Sequence, residues 1–378
     1  MKIIHIVENI RNYYFHKIAS KSFEAVFPGQ NEYITFGKKN KIEKQESFEV
    51  RHYKKWVLLY PWIVRKILKA DVVVFHGLPN NGGILSALKA LDSSTKTIWI
   101  GWGYDYYDLI PRKLLKEKTE KLIKRKNAKD LFLNFKVILK KIVFRLLNID
   151  KTKLINKIDV FSPVLYEDYL LVKESVKNFK PKYMAWNYAN IDDNILRKDE
   201  KKRVDGLNIL VGNSASNTNN HLEAFELLSN INLDNRKVIV PLSYGDELYK
   251  EQIVQNGQEI FGDKFYPLLD FMPVEEYKDV LQSCSIVIMN HLRQQALGNI
   301  NIALLKGAKV FLDEQNPVYQ FYKKQGVFIY KLDELIEQYQ TMHTDKEIEH
   351  NQQVLNRNRS AAMVLKKTKL LVEAALES

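Results

Sequence analysis

Two kinds of hydrophobic pattern alternate along this chain. Short, mostly apolar runs at residues 3–7, 72–75, 97–100 and 160–162 in the first half, and at 209–211, 237–240, 286–289 and 310–312 in the second, predict strands buried on both faces of a parallel sheet. Shorter apolar stretches at 33–36, 48–51 and 266–269 add further strands. Between them, apolar residues recur every three or four positions and predict helices over 14–27, 56–70, 82–91, 166–177, 246–256 and 274–282, with another after Gln295 that Gly307 can close. Residues 335–376 read as mostly helical, broken near His343-Thr344. Strand–helix alternation of this kind predicts an α/β protein with a doubly wound parallel sheet in each half.

Residues 179–205 interrupt the alternation. Pro181, Asn187, Asn190, the pair Asp192-Asp193 and a charged run ending in Asp205-Gly206 suit an interdomain linker. The expected organisation is a Rossmann-like domain over 1–190, a second over 206–355 and a C-terminal helix over 356–378. Two such sheets present their strand-end loops across a cleft, where ligands of α/β proteins bind.

Charge changes this picture in one place. The net charge is +13, yet residues 112–157 alone hold sixteen Lys and Arg against four acids, so the rest of the chain is close to neutral. Leu131, Phe135, Ile138, Ile142 and Leu146 keep helical spacing there, with Lys136, Lys140, Lys141 and Arg145 alongside. Such a segment is either a solvated helix, a nucleic-acid attractant, or a face that lies on an anionic membrane surface with its cationic side chains reaching the headgroups. The lone cysteine, Cys284, sits in an apolar run and reads as a core thiol in a reducing compartment. The N-terminus carries no signal-peptide pattern and no apolar stretch is long enough to cross a bilayer, so the expected location is cytosolic or peripheral.

The candidate chemistry lies in loops that follow strands. Gly212-Asn213-Ser214 ends one apolar run before a helix in which Asn220 and Glu223 read as an N-cap and its reciprocal partner. Taken alone, this is either an ordinary strand–helix turn or a phosphate-binding loop. Three more loops belong to the same sheet edge: Pro241 to Gly245 with Tyr244, Asn290 to Gln295 with Arg293 and Gln294, and Asp313 to Asn316 with Glu314. Together they offer close backbone approach, hydroxyl and amide donors, one guanidinium and carboxylates for ribose, which matches a nucleotide diphosphate. In the first half, His76-Gly77 and Trp102 with Asp105 follow strands; His76 or Asp105 is a candidate general base, although a strand-end histidine is more often a satisfied structural residue. No metal-ligand spacing, Asp-x-Asp, nucleophile elbow or Walker loop occurs, so no metal or cofactor is expected.

The segments ILVGNS, KVIVP, LRQQALGN and EQNP of the second half, with FHG and WGYDYYDL of the first, resemble the 4-acetamido-4,6-dideoxygalactose (N-acetylfucosamine) transferases of enterobacterial common antigen synthesis, over about residues 72 to 330. The resemblance implies a GT-B fold and metal-independent transfer of a deoxy-amino sugar from a TDP-sugar to a lipid-linked oligosaccharide on undecaprenyl diphosphate. It implies a peripheral enzyme on the cytoplasmic face of the inner membrane, with no nucleic-acid partner. On it, Gly212, Asn213, Ser214, Arg293, Gln294, Gln295 and Gly298 carry over as donor-binding positions, joined by Tyr244, Glu314 and Asn316. His76, Gly77, Trp102 and Asp105 are the expected acceptor positions. Against the resemblance, the basic segment is longer than its counterpart and the loop at residues 8–14 does not match. The competing class is a non-catalytic basic α/β protein binding a membrane surface or nucleic acid.

Overall fold

The computed structural model describes residues 1–7, 13–36, 50–53, 64–65, 68–127, 142, 144–186, 203–357 and 360–378. Most of the helix expected over 56–70, the start of the strand expected at 48–51, and Lys136, Lys140 and Lys141 lie outside these residues.

The chain forms two compact units, each built on one parallel sheet. In the first, β1 (Ile3–Val7), β2 (Asn31–Phe36), β3 (Val50–Tyr53), β4 (Val72–His76), β5 (Lys96–Ile100), β6 (Val160–Ser162) and β7 (Lys182–Tyr183) lie in the order β3-β2-β1-β4-β5-β6-β7. β1 and β4 are buried along their whole length, as their largely apolar sequences require, with His5 and His76 the polar exceptions. Strand order reverses between them, with Val7 beside His76 at their C-terminal ends. β7 belongs to the stretch read as linker; its two residues are too few to show a period.

In the second unit, β8 (Asn208–Val211), β9 (Val238–Pro241), β10 (Phe265–Leu268), β11 (Cys284–Met289), β12 (Lys309–Leu312) and β13 (Tyr330–Lys331) lie in the order β10-β9-β8-β11-β12-β13. The order reverses between β8 and β11, paired with Val211 opposite Ile288. Ile209, Val211, Phe225, Leu228, Val240, Ile286, Ile288 and Phe311 fill its core. Cys284 is buried, and burial pushes its thiol up to about 12.

Two segments pack away from their neighbours in sequence. The helix Glu117–Asn127, part of the basic stretch attached by sequence to the first domain, belongs to the second unit: Leu122 packs on its core, and Thr119 donates from N and Oγ1 to Glu223 at 3.0 and 2.7 Å. The helix Ala361–Leu376 belongs to the first unit. Its Leu371, Val372 and Ala375 pack with Ile3, Phe23, Val72 and Val74, and buried Trp186 donates to Thr368 Oγ1 at 2.8 Å.

Leu371→Ala should therefore destabilise the first unit. A buried Leu→Ala change costs about 3 kcal/mol, and hydrogen exchange should speed up at β1 and β4 amides; unchanged protection there would show the C-terminal helix to be dispensable for that core.

Candidate functional site

In open α/β sheets ligands bind beyond the C-terminal strand ends where strand order reverses. In the second unit that point lies between the turn after β8 and the loop after β11. Gly212 has φ +70, and a Cβ there would sit 2.7 Å from both Asn219 Oδ1 and His221 Nε2, so only glycine fits. Asn219 Oδ1 accepts from Asn213 N at 2.9 Å and, being an amide oxygen, also accepts from His291 Nε2 at 2.7 Å, which ties the two loops together. Asn219 Nδ2 donates to Ser214 O at 3.0 Å.

Asn220 does not form the expected capping box. It is left-handed at φ +50 and makes no side-chain cap bond. Its Nδ2 donates to Asn290 O at 3.1 Å and Leu114 O at 3.2 Å, its Oδ1 accepts from Lys116 N at 2.8 Å, and Glu223 is taken by Thr119. Residues more than a hundred positions away in sequence compete for both side chains and win. The neighbouring imidazoles are neutral. Burial brings His221 down to about 3, and burial, then the Arg293 charge, then His221 lower His291.

Other candidates join the same network. Thr218 Oγ1 donates to Gln295 Oε1 at 2.7 Å, Gln295 Nε2 to Asn213 Oδ1 at 2.9 Å, and Asn213 Nδ2 to the Tyr244 hydroxyl at 3.0 Å. Arg293 is half-buried and donates from Nη1 to Gln294 O at 3.3 Å; Gln294 is buried. Gly298 stands exposed in the first turn of the helix Leu297–Lys306, with no atom near the place of a Cβ. That helix starts at the crevice, so its N-terminal N–H groups can bind an anion. Asn316 is buried, donates to His291 O at 3.0 Å and caps Val318 N at 2.9 Å, so its amide supports the loop instead of facing a ribose. Glu314 is exposed and pairs with Lys331 at 2.9 Å. Asp313 pairs with Lys116 at 2.6 Å, a contact the local sequence does not announce.

At the reversal point of the first sheet the chemistry is also set by hydrogen bonds. Asn31 Oδ1 can only accept, so His5 Nε2, at 3.1 Å, carries a proton. Neutral His5 then accepts at Nδ1 from His76 Nε2 at 3.0 Å, leaving His76 Nδ1 with a lone pair and no partner among the described residues. Burial, first, and the two neighbouring histidines keep His76 well below its ordinary range. Gly77 has φ +89 beside Trp102 and Tyr104. Asp105 is a correction to the base assignment. It is fully buried; Oδ2 accepts from Leu78 N at 2.8 Å and Trp99 Nε1 at 2.7 Å, and Oδ1 from Trp102 N at 2.7 Å. It clamps the loops after β4 and β5 and presents no surface to a substrate.

Among the described residues, no three or more His, Cys, Asp or Glu side chains converge on a possible metal position, and no helix is long and apolar enough to cross a membrane. Arg145 is exposed, beside Ile142 and Leu146, which are 46% and 80% exposed.

The fold is shared with solved structures at low sequence identity. A glycosyltransferase from Rickettsia africae ESF-5 superposes with a TM-score of 0.64 at 11% identity, covering 100% of this chain and 99% of that one. HepE of Anabaena in complex with UDP and glucose gives 0.61 at 10%, covering 99% of each. The N-terminal domain of trehalose-6-phosphate phosphatase from Candida albicans gives 0.63 at 9%, covering 100% and 96%. Two parallel Rossmann-like sheets of this order give the protein the GT-B fold. Residues 168–360, half of the chain, match one family within that class, and the protein belongs to it: glycosyl transferase group 56, the 4-alpha-L-fucosyltransferases. Membership removes the alternative of a non-catalytic basic protein.

The buried histidines predict a pH dependence of stability. His5 and His221 titrate at about 3 in the fold, and His76 and His291 are lowered as well, against about 6.5 unfolded. Between those values the unfolded chain binds more protons, so their contribution is present above about pH 6.5 and is lost as pH falls. Asp105, raised, and Asp168, raised to about 7, act in the opposite sense but are fewer. The melting temperature should therefore drop between pH 7 and pH 5; a flat or rising profile would show these imidazoles charged in the fold.

Proposed function

We propose that the enzyme transfers a 4-acetamido-4,6-dideoxygalactose-type residue from a thymidine diphosphate donor to a sugar on undecaprenyl diphosphate, working as a peripheral protein at the cytoplasmic face of the inner membrane. The observation that carries the donor half is the crevice between β8 and β11, where the Gly212 turn, the Arg293 loop and the N-terminus of Leu297–Lys306 meet. Backbone N–H groups and a guanidinium suit a diphosphate that departs with negative charge. In the proposed reaction an acceptor hydroxyl oxygen attacks the anomeric carbon, the bond to the diphosphate oxygen breaks with its electron pair, and the hydroxyl proton passes to a general base.

The membrane half rests on the basic segment. Each cation near an anionic leaflet contributes about 1 kcal/mol, and exposed Ile142 and Leu146 beside Arg145 fit shallow insertion. The test is transfer from TDP-sugars to a lipid-diphosphate acceptor on anionic vesicles. Replacing Lys136, Lys140, Lys141 and Arg145 together with Gln should release the protein from those vesicles and lower transfer, with TDP-sugar affinity unchanged. Normal sedimentation at low salt and normal transfer by this variant would overturn the membrane reading, and transfer only from another nucleotide sugar would overturn the donor.

Arg293→Ala should lower turnover about a hundredfold, the roughly 3 kcal/mol expected for losing one group that stabilises developing charge. The melting temperature should hardly move, because the side chain is half-exposed. Normal turnover would make Arg293 a surface residue.

A further inference from the structure

Tyr244 is 56% exposed, so its ring is not held by a core, yet it is fixed at both ends. Its carbonyl accepts from Ala215 N at 2.8 Å, and the next residues stay bound to the same loop: Asp246 N donates to Ala215 O at 3.0 Å, and Gly245 has φ +133 where any Cβ would strike the Ala215 backbone. Its hydroxyl oxygen accepts from Asn213 Nδ2 at 3.0 Å. Behind that bond the hydrogen bonds run in one direction, Thr218 hydroxyl to Gln295 oxygen, Gln295 amide to Asn213 oxygen, Asn213 amide to Tyr244 oxygen. Every donor in the series faces Tyr244, so the phenol's own proton is left over, and it has no acceptor among the described residues.

A series polarised in one direction strengthens the donor at its end, and such a donor gains most from a charged acceptor. An aromatic group restrained at both ends without burial is already ordered for a ligand and loses little freedom on binding. Asn213, which positions the hydroxyl, directly follows Gly212 at the sheet's reversal point, where a ligand is expected. We propose that the Tyr244 hydroxyl donates a hydrogen bond to a phosphate oxygen of the nucleoside diphosphate, with Thr218, Gln295 and Asn213 as positioning residues that act through it. The proposal rests on the nucleotide-sugar reading of this unit and goes beyond it in naming the phosphate donor and the residues that orient it.

The test is calorimetric binding of TDP, with thymidine as the phosphate-free comparison. Tyr244→Phe keeps the ring and removes the proton, and should weaken TDP about tenfold, the range for a hydrogen bond to a charged group, with thymidine unaffected. Thr218→Val should weaken TDP a few-fold, Thr218→Ser should restore it, and Thr218→Val should add nothing in the Tyr244→Phe background. Wild-type TDP affinity in Tyr244→Phe, an equal loss for thymidine, or an undiminished Thr218→Val effect in the double variant would each overturn the proposal and leave the nucleotide site standing. A wild-type protein that binds neither TDP nor UDP would overturn the nucleotide reading together with it.

Discussion

Buried polar groups that pair with one another through most of their atoms, leaving His221 Nε2, Asn290 Oδ1 and His291 Nδ1 without a partner among the described residues, are the constraint on which the working edge of the second unit depends. Ser214, Asn219, Asn220, His221, Asn290, His291 and Asn316 gather there, each with less than a tenth of its surface exposed. An unpaired group in such a place costs about 1–3 kcal/mol, so the loops settle where their amides and carbonyls match. Asn219 joins the turn after β8 to the loop after β11, and Asn316 joins that loop to the one after β12. The result is a set of loops positioned by hydrogen bonds instead of by hydrophobic packing, which suits a site for a polar, charged ligand.

The same constraint explains why residues 112–127 belong to this unit. Asn220 bonds both Leu114 and Lys116, and Lys116 reaches Asp313. Without this segment the Asn220 amide and the Glu223 and Asp313 carboxylates would lose partners. Each unit is thus discontinuous in sequence: the second takes in a piece from the first half, and the first takes in the C-terminal helix, whose Leu371 and Val372 cover apolar side chains of β1 and β4.

Charge is redistributed in the process. Lys113, Lys116, Lys118, Lys121 and Lys124 each pair with a carboxylate, and buried Lys151 bonds Asp108 and the Asp105 carbonyl. Most of these pairs are solvent-exposed and add little stability. They do lower the field that the raw charge count of the segment suggests. Arg145 keeps its exposure next to two uncovered apolar side chains, and that combination, more than the count, is what a membrane surface would meet.

Sequence alone determined the strands other than β7 and β13, most of the helices and the core thiol, because burial on a regular element leaves a period that neighbouring residues reveal, whereas the strand order with its two reversal points came from the structure. It also brought Gly212, Asn213, Tyr244 and Gln295 to one edge, since loops after parallel strands share an end of the sheet. Tertiary structure decided the rest. Asn220 and Glu223 have the spacing of a capping box, yet bond a helix encoded a hundred residues earlier. Asp105 has the look of an exposed strand-end carboxylate, yet donors from the loops after β4 and β5 and from Trp99 on β5 enclose it. His76 became a lone-pair acceptor only through His5 and Asn31 on neighbouring strands. Local spacing reports what an element buries, whereas the partner of a buried polar group is chosen by how the elements are brought together.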